Sequence, residues 1–171
     1  MLTAANIKKL LKELNGELAD KDIKGEIGLC GGAVMCLVFK ARPSTKDIDA
    51  IFEPTKEIRE AAKKVAKRHA LPDSWLNDAA KSYFISDPPR QNVLELSHLR
   101  VWAPKAEYML AMKCVSARFD TADLDDVRFL IVHLNLKKRV EVFDIVEKYY
   151  PKKMISPKTQ FVIEELMEES R

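Results

Sequence analysis

The sequence predicts an α+β fold: a small mixed β-sheet flanked by helices, followed by a C-terminal helical bundle. Three observations lead there. Short apolar runs bounded by Gly or Pro, at residues 25–29, 47–52, 93–96 and 99–102, have the length and composition of strands. The segments between them space their apolar residues three and four apart, the helical period. From Pro104 onward only that helical spacing remains, so strands and partner helices fill the first part and helices the last.

Taken in order, Ile7, Leu10, Leu11 and Leu14 make 7–18 an amphipathic helix. Gly25 and Gly28 bracket a short strand ending near Leu29, and after Gly31-Gly32 the run 33–39 reads as a buried helix. Arg42-Pro43-Ser44-Thr45 is a loop, and 47–52 is a strand closed by Pro54. Thr55 can cap the next helix, whose stripe is Ile58, Ala62, Val65 and His69. Pro72-Asp73-Ser74 opens a helix through Trp75, Ala79, Ala80 and Tyr83, and the Asp87-Pro88-Pro89-Arg90 loop precedes the last two strands. Pro104 suits a first helical position, with helices over 104–119, 122–134, 139–149 and 157–169. The chain divides into a core with the sheet, 1–103, and a helical region, 104–171, packed on it as one compact unit.

Composition excludes several classes. With 171 residues the chain has room for one ordinary domain, and 47% hydrophobic residues against 32% charged exclude disorder. The longest stretch without a charged or strongly polar side chain is 27–39, short of the ~20 residues of a membrane helix and interrupted by a Gly pair. Lys8, Lys9, Lys12 and Glu13 interrupt any secretory apolar region, so the expectation is a cytoplasmic protein with no membrane partner. The net charge of +3 is mild. Basic residues gather at 56–68 (Lys56, Arg59, Lys63, Lys64, Lys67 and Arg68), where a solvated face is the ordinary reading and an RNA phosphate track the functional one. Cys30, Cys36 and Cys114 form no CxxC pair and are expected reduced, buried and inert. His69, His98 and His133 lack metal-ligand spacing.

The chemistry lies in Gly31-Gly32 followed, after a helix and a loop, by Asp47-Ile48-Asp49. On a strand, Asp47 and Asp49 point to one face, about 6–7 Å apart, and repel unless a cation lies between them. This donor set suits one or two Mg²⁺ ions, which take one or two carboxylates plus substrate phosphate oxygens. A glycine pair at a helix N-terminus presents bare backbone N–H groups and the positive end of the helix dipole to a phosphate. Together they suggest a triphosphate held between glycines and metal. In the loop between, Arg42, Ser44 or Thr45 can reach phosphate or nucleobase. Lys113 sits on an apolar stripe with Met109, Leu110, Ser116 and Ala117, either as a snorkelling stem or as a buried charge kept for function. Asp123 and Asp126 share a helix face three residues apart, where Thr121 reads as the N-cap and first-turn acids favour the dipole.

Gly31-Gly32 with Asp47-Ile48-Asp49 resembles the signature of the polymerase-β-like nucleotidyltransferase superfamily. The stretch from Leu99 to Lys113 (LRVWAPKAEYMLAMK), then Arg118 and Ala122-Asp123-Leu124-Asp125-Asp126-Val127, resembles its abortive-infection toxin-type branch. The likeness covers roughly 28–134. It implies a small mixed sheet flanked by helices, two Mg²⁺ ions on Asp47 and Asp49, and transfer of a nucleotidyl group from an NTP with loss of pyrophosphate. It further implies triphosphate contact for Gly31, Gly32 and Lys113, and a catalytic or Lys-orienting role for Asp123. The acceptor it allows is RNA such as tRNA, a protein hydroxyl or a small molecule, and its toxin-type branch implies an antitoxin partner. Trp75-Leu76-Asn77-Asp78 is either a pocket motif or a Trp anchoring a helix. One departure stands out: the superfamily places a third carboxylate on a later strand, and here the only acid at 93–96 is Glu95. That leaves a catalytically degenerate binding or regulatory module as the alternative.

Overall fold

A computed structural model describes residues 1–116, 118 and 121–169, without the side chain of Thr121. The expected N-cap of Thr121, and Ala117 and Phe119 at the expected end of the 104–119 helix, lie outside the described residues. The fold is α+β, as the sequence predicts. Its elements are β1 (Leu2–Thr3), α1 (Ala4–Ala19), β2 (Gly25–Leu29), α2 (Gly31–Leu37), β3 (Ser44–Thr45), β4 (Ile48–Glu53), α3 (Thr55–Arg68), β5 (Leu76–Asn77), β6 (Arg90–Glu95), β7 (Leu99–Pro104), α4 (Ala106–Ser116), α5 (Thr121–His133), α6 (Arg139–Tyr149) and α7 (Pro157–Glu169). Contacts gather into two units: Met1–Ser82 with Arg90–Pro104, and Tyr83–Pro89 with Lys105–Arg171.

The first unit is built on a five-stranded mixed sheet ordered β5-β4-β2-β7-β6. β2 runs antiparallel to β4 and parallel to β7, and β6 returns antiparallel beside β7. Pleat and register sort the side chains into two faces. Ile27, Leu29, Ile48, Ala50, Phe52, Leu99, Val101 and Ala103 are buried on one. There Leu18 of α1 and Ile58 of α3 close over Gly25. Helix α1 buries Ile7, Leu10, Leu11, Leu14 and Leu18, and its Thr3–Asn6 capping box satisfies its first turn. The other face carries Glu26, Gly28, Asp49, Ile51, Glu53, Arg100 and Trp102. Trp102 lies across Gly28, where a Cβ would stand 2.3 Å from the indole. Its Nε1 donates to Glu26 at 3.0 Å, and the Arg90 guanidinium stacks on the ring 4.0 Å from its centroid.

Several expected boundaries move for physical reasons. Helix α2 begins at Gly31 itself, not after the glycines. Strand β4 starts at Ile48, because Asp47 lies in the bend before it. Only one of its faces is fully apolar: Asp49 and Ile51 are half-buried and Glu53 is exposed. Thr55 is the first helical residue of α3, after the cap position at Pro54, and its hydroxyl bonds Phe52 O at 3.2 Å. His69 ends α3 as its C-cap and faces Glu13 at 2.8 Å, so it is no part of the core stripe. The helix expected from Pro72 is two short 3₁₀ turns, Asp73–Trp75 and Ala79–Tyr83, around β5. Trp75 is buried and donates to Ala62 O at 2.9 Å, the role of an anchor. Asn77 and Asp78 are likewise engaged, by Ala79 N–H and by Arg59. Pro104 ends β7 opposite Arg90 and does not open a helix; Pro is tolerated there because it accepts, from Gln91, without having to donate.

Three of the six cations of 56–68 are paired. Lys64 pairs with Glu17 at 3.2 Å and Arg68 with Glu13 at 3.3 Å and with Glu17, while Arg59 pairs with Asp78. These cations stitch α3 to its neighbours, which leaves fewer of them for an RNA track.

In the second unit, helices α4 to α7 pack on one another, with Tyr108 as a hub. Its ring meets Tyr149 at 5.0 Å and Tyr150 at 6.0 Å. Tyr150 Oη donates to Tyr83 O at 2.6 Å. Among the described residues, no helix is long and apolar enough to cross a membrane.

Candidate functional site

Strand β4 and the loop before it bring three of the predicted residues, Asp49, Thr45 and Arg42, onto the glycine pair. Gly31 has φ of 60°, the left-handed region that favours glycine. A Cβ there would lie 2.9 Å from Asp49 Oδ2, so the Asp49 carboxylate rests directly on the Gly31 backbone. The strand ladder supports this, because Cys30 N–H donates to Asp49 O at 2.9 Å. At Gly32 a Cβ would lie 2.5 Å from Thr45 Oγ1 and 3.1 Å from Arg42 Nη1. Each glycine therefore takes a close approach that any side chain would block.

Thr45 is buried, and its hydroxyl donates to Asp47 O at 3.2 Å. Asp47 precedes β4, so its direction is set by this bend rather than by strand alternation. Ser44 and Thr45 form β3, which pairs with β1 through Leu2↔Thr45 and Thr3↔Ser44. The stretch read as a loop is thus tied into a two-stranded sheet. Helix α2 has seven residues, so attraction for an anion rests on first-turn N–H groups more than on a long macrodipole.

Does this donor set fit Mg²⁺? The two carboxylates are hard oxygen donors, and one of them is seated against a cradle that a Cβ would fill. That is the arrangement in which Mg²⁺ is shared between protein carboxylates and substrate phosphates, not held by an all-protein cage. No three His, Cys, Asp or Glu converge as a metal group among the described residues. Glu95 offers no third ligand here. It pairs with Arg100 at 3.1 Å, beside the start of β2, whereas Gly31 follows the end of that strand, roughly 15 Å away at strand rise. A cleft of about 590 Å³ occupies that far end, lined by Lys24, Glu26, Glu53, Glu95, His98 and Arg100 among others. Its two cations, Lys24 and Arg100, face three carboxylates, which suits no triphosphate.

The second unit holds Lys113 and Asp123. Lys113 is buried, so the snorkelling reading fails, and its ammonium lies 2.9 Å from Asp123 Oδ1 and 2.8 Å from Asp126 Oδ2. Asp123 also accepts from Arg118 N–H at 3.2 Å. Asp126 is the residue that sequence reasoning leaves without a role; the three-residue spacing to Asp123, opposite a buried Lys, is the signal for it. Two of its three ammonium donors go to these carboxylates.

Comparison with family models, curated proteins and solved structures found no match. The functional reading therefore rests on the residues themselves.

Cys30, Cys36 and Cys114 are buried and take part in no disulfide. Burial pushes the Cys114 thiol up to about 12. Desolvation also raises Cys36, partly offset by the Ala4 N–H and by Arg42.

Proposed function

We propose that the chain is an Mg²⁺-dependent nucleotidyltransferase that moves a nucleoside monophosphate from an NTP to a hydroxyl acceptor, releasing pyrophosphate. The observation that carries this reading is the seating of Asp49 on Gly31, and of Thr45 and Arg42 on Gly32. A glycine pair with a carboxylate and a guanidinium packed against it offers the donors that a metal–triphosphate site uses.

Asp47 and Asp49 are the residues that would hold the metal. When bound, Mg²⁺ neutralises the triphosphate and stabilises charge on the attacking and leaving oxygens. Gly31 and Gly32 supply backbone donors to phosphate oxygens, and Arg42 adds a positive charge on the Gly32 side. A triphosphate contact for Lys113 rests on the resemblance alone, since its buried ammonium is held by Asp123 and Asp126. Asp123, 2.9 Å from its ammonium, orients Lys113; a part in taking the proton of the acceptor hydroxyl rests on the resemblance alone. The acceptor is RNA such as tRNA, a protein hydroxyl or a small molecule. Action as the toxin of a toxin–antitoxin pair, with an antitoxin partner, rests on the resemblance alone.

Calorimetric titration with each of the four NTPs and Mg²⁺ tests the reading. The wild type is expected to bind at least one NTP, and the Asp47→Ala/Asp49→Ala protein to bind none while staying folded. A radiolabelled-NTP screen over total RNA and protein then finds the acceptor. Binding that is equal in both proteins sinks the proposal.

A second reading, a nucleotide-binding module without turnover, is favoured by one observation. The only carboxylate on β6 and β7 is Glu95, at the wrong end of the sheet and paired with Arg100. NTP binding with no labelled acceptor in that screen would select it.

A further inference from the structure

Thr45 is the one fully buried polar side chain among the described residues of the first unit, with 5% of its surface exposed. Its hydroxyl hydrogen goes to the Asp47 carbonyl. The same oxygen faces Gly32 so closely that a Cβ there would stand 2.5 Å away. Behind it, Leu2 of β1 is buried and is the register partner of Thr45. Thr3 of the same strand caps α1. The bend that delivers Asp47 therefore starts from an anchored point and is tied down by a single hydroxyl.

We infer that Thr45 is a positioning residue, which sets the backbone of Asp47 just before β4 and hence the direction in which its carboxylate leaves the chain, and is not a ligand of the nucleotide. This rests on the reading of Asp47 and Asp49 as metal ligands. The side chain is too enclosed to meet a phosphate, and its one donor is used. A hydroxyl bonded to a carbonyl two residues on fixes the bend, and the absence of a side chain at Gly32 is what lets it sit there. The strand β1 completes the clamp from the far side.

Two variants separate hydroxyl from shape. Thr45→Val keeps the volume and removes the hydroxyl; Thr45→Ser keeps the hydroxyl and removes a methyl. Each is followed by amide hydrogen exchange at residues 32 and 46–49, by binding of Mn²⁺ alone, and by calorimetry with Mg²⁺ and ATP, GTP, CTP and UTP. T45V is expected to exchange faster at these amides and to bind Mn²⁺ about tenfold more weakly, the equivalent of one lost hydrogen bond. T45S is expected to stay within about twofold of wild type in both, a range well below one hydrogen bond.

A T45V protein indistinguishable from wild type overturns the inference, as does a T45S protein that loses as much as T45V. If T45V does not fold, T45S decides alone: loss of Mn²⁺ binding there overturns it, and retention supports it. Failure of the functional reading looks different. In that case the wild type binds neither Mn²⁺ nor any NTP, while exchange at 46–49 still reports whether the hydroxyl holds Asp47.

Discussion

At Gly31 a methyl group would meet both a left-handed backbone and the Asp49 carboxylate. Gly31→Ala is expected to cost about 1–2 kcal/mol in denaturant unfolding and to weaken metal-dependent NTP binding. Gly16 is the control. It lies inside α1, and a Cβ there would meet nothing within 4 Å, so Gly16→Ala should stabilise by about 0.5–1 kcal/mol. A Gly16→Ala protein no more stable than wild type would show that α1 does not respond to intrinsic propensity. The cysteines give a second check. All three are buried, with thiols raised at Cys36 and Cys114, so the thiolate that reacts is scarce and enclosed. Native protein is expected to resist a thiol reagent at pH 8 and to react at three sites once unfolded. Rapid labelling of the native protein would contradict the burial.

Between elements, the contact of α4 with α5 turns on Lys113. Its side chain is 8% exposed and that of Asp126 is 4%, so the pair is held away from water. Asp126→Asn is expected to cost about 3 kcal/mol, the penalty for leaving a buried charge short of its partner; Asp123 keeps that penalty from being larger. A loss under about 1 kcal/mol, the range of surface pairs, would mean water reaches the pair. Helix α6 carries a pH-dependent device at its start. Glu141 accepts from the N–H groups of Lys137 at 2.8 Å and Lys138 at 2.7 Å. These bonds hold its carboxyl below the ordinary value of 4.5. A depressed folded-state value favours the folded state above the ordinary value and is lost as pH falls through the depressed one. Melting temperature should therefore decline on acidification below that range, and less so in Glu141→Gln. An unchanged slope in the variant would place the acid sensitivity elsewhere.

Over the whole molecule, protection against hydrogen exchange should follow burial and sheet position. The central strands β2, β4 and β7, covered by α1 and α3, are expected to exchange slowest in the first unit, and the two-residue pairing of β1 with β3 much faster. Slow exchange at the 3₁₀ turns around β5 would contradict this order. Most elements were legible because their signal is local. The periodicity of α1, α6 and α7, the Gly and Pro boundaries of β2, and the paired carboxylates beside β4 are properties of neighbouring residues. The 72–83 segment was misread because Trp75 and Ala79 share helical spacing, yet the indole finds its partner at Ala62 in another helix. Pro104 was misread because a first helical position and a strand end both tolerate a missing N–H.

By itself, the sequence determined the α+β class, the glycine pair, the acidic Asp47-Ile48-Asp49 and the placing of Lys113 ahead of Asp123, since composition and spacing carry these. Only the tertiary structure decided that Asp49 sits on Gly31, that Thr45 and Arg42 close on Gly32, and that Asp126 shares Lys113. It also paired Lys64 and Arg68 of α3 with the acids of α1, and Arg59 with Asp78. The physical reason is the same in each case: which polar group meets which depends on chain segments far apart in sequence that come together only when the apolar faces are buried.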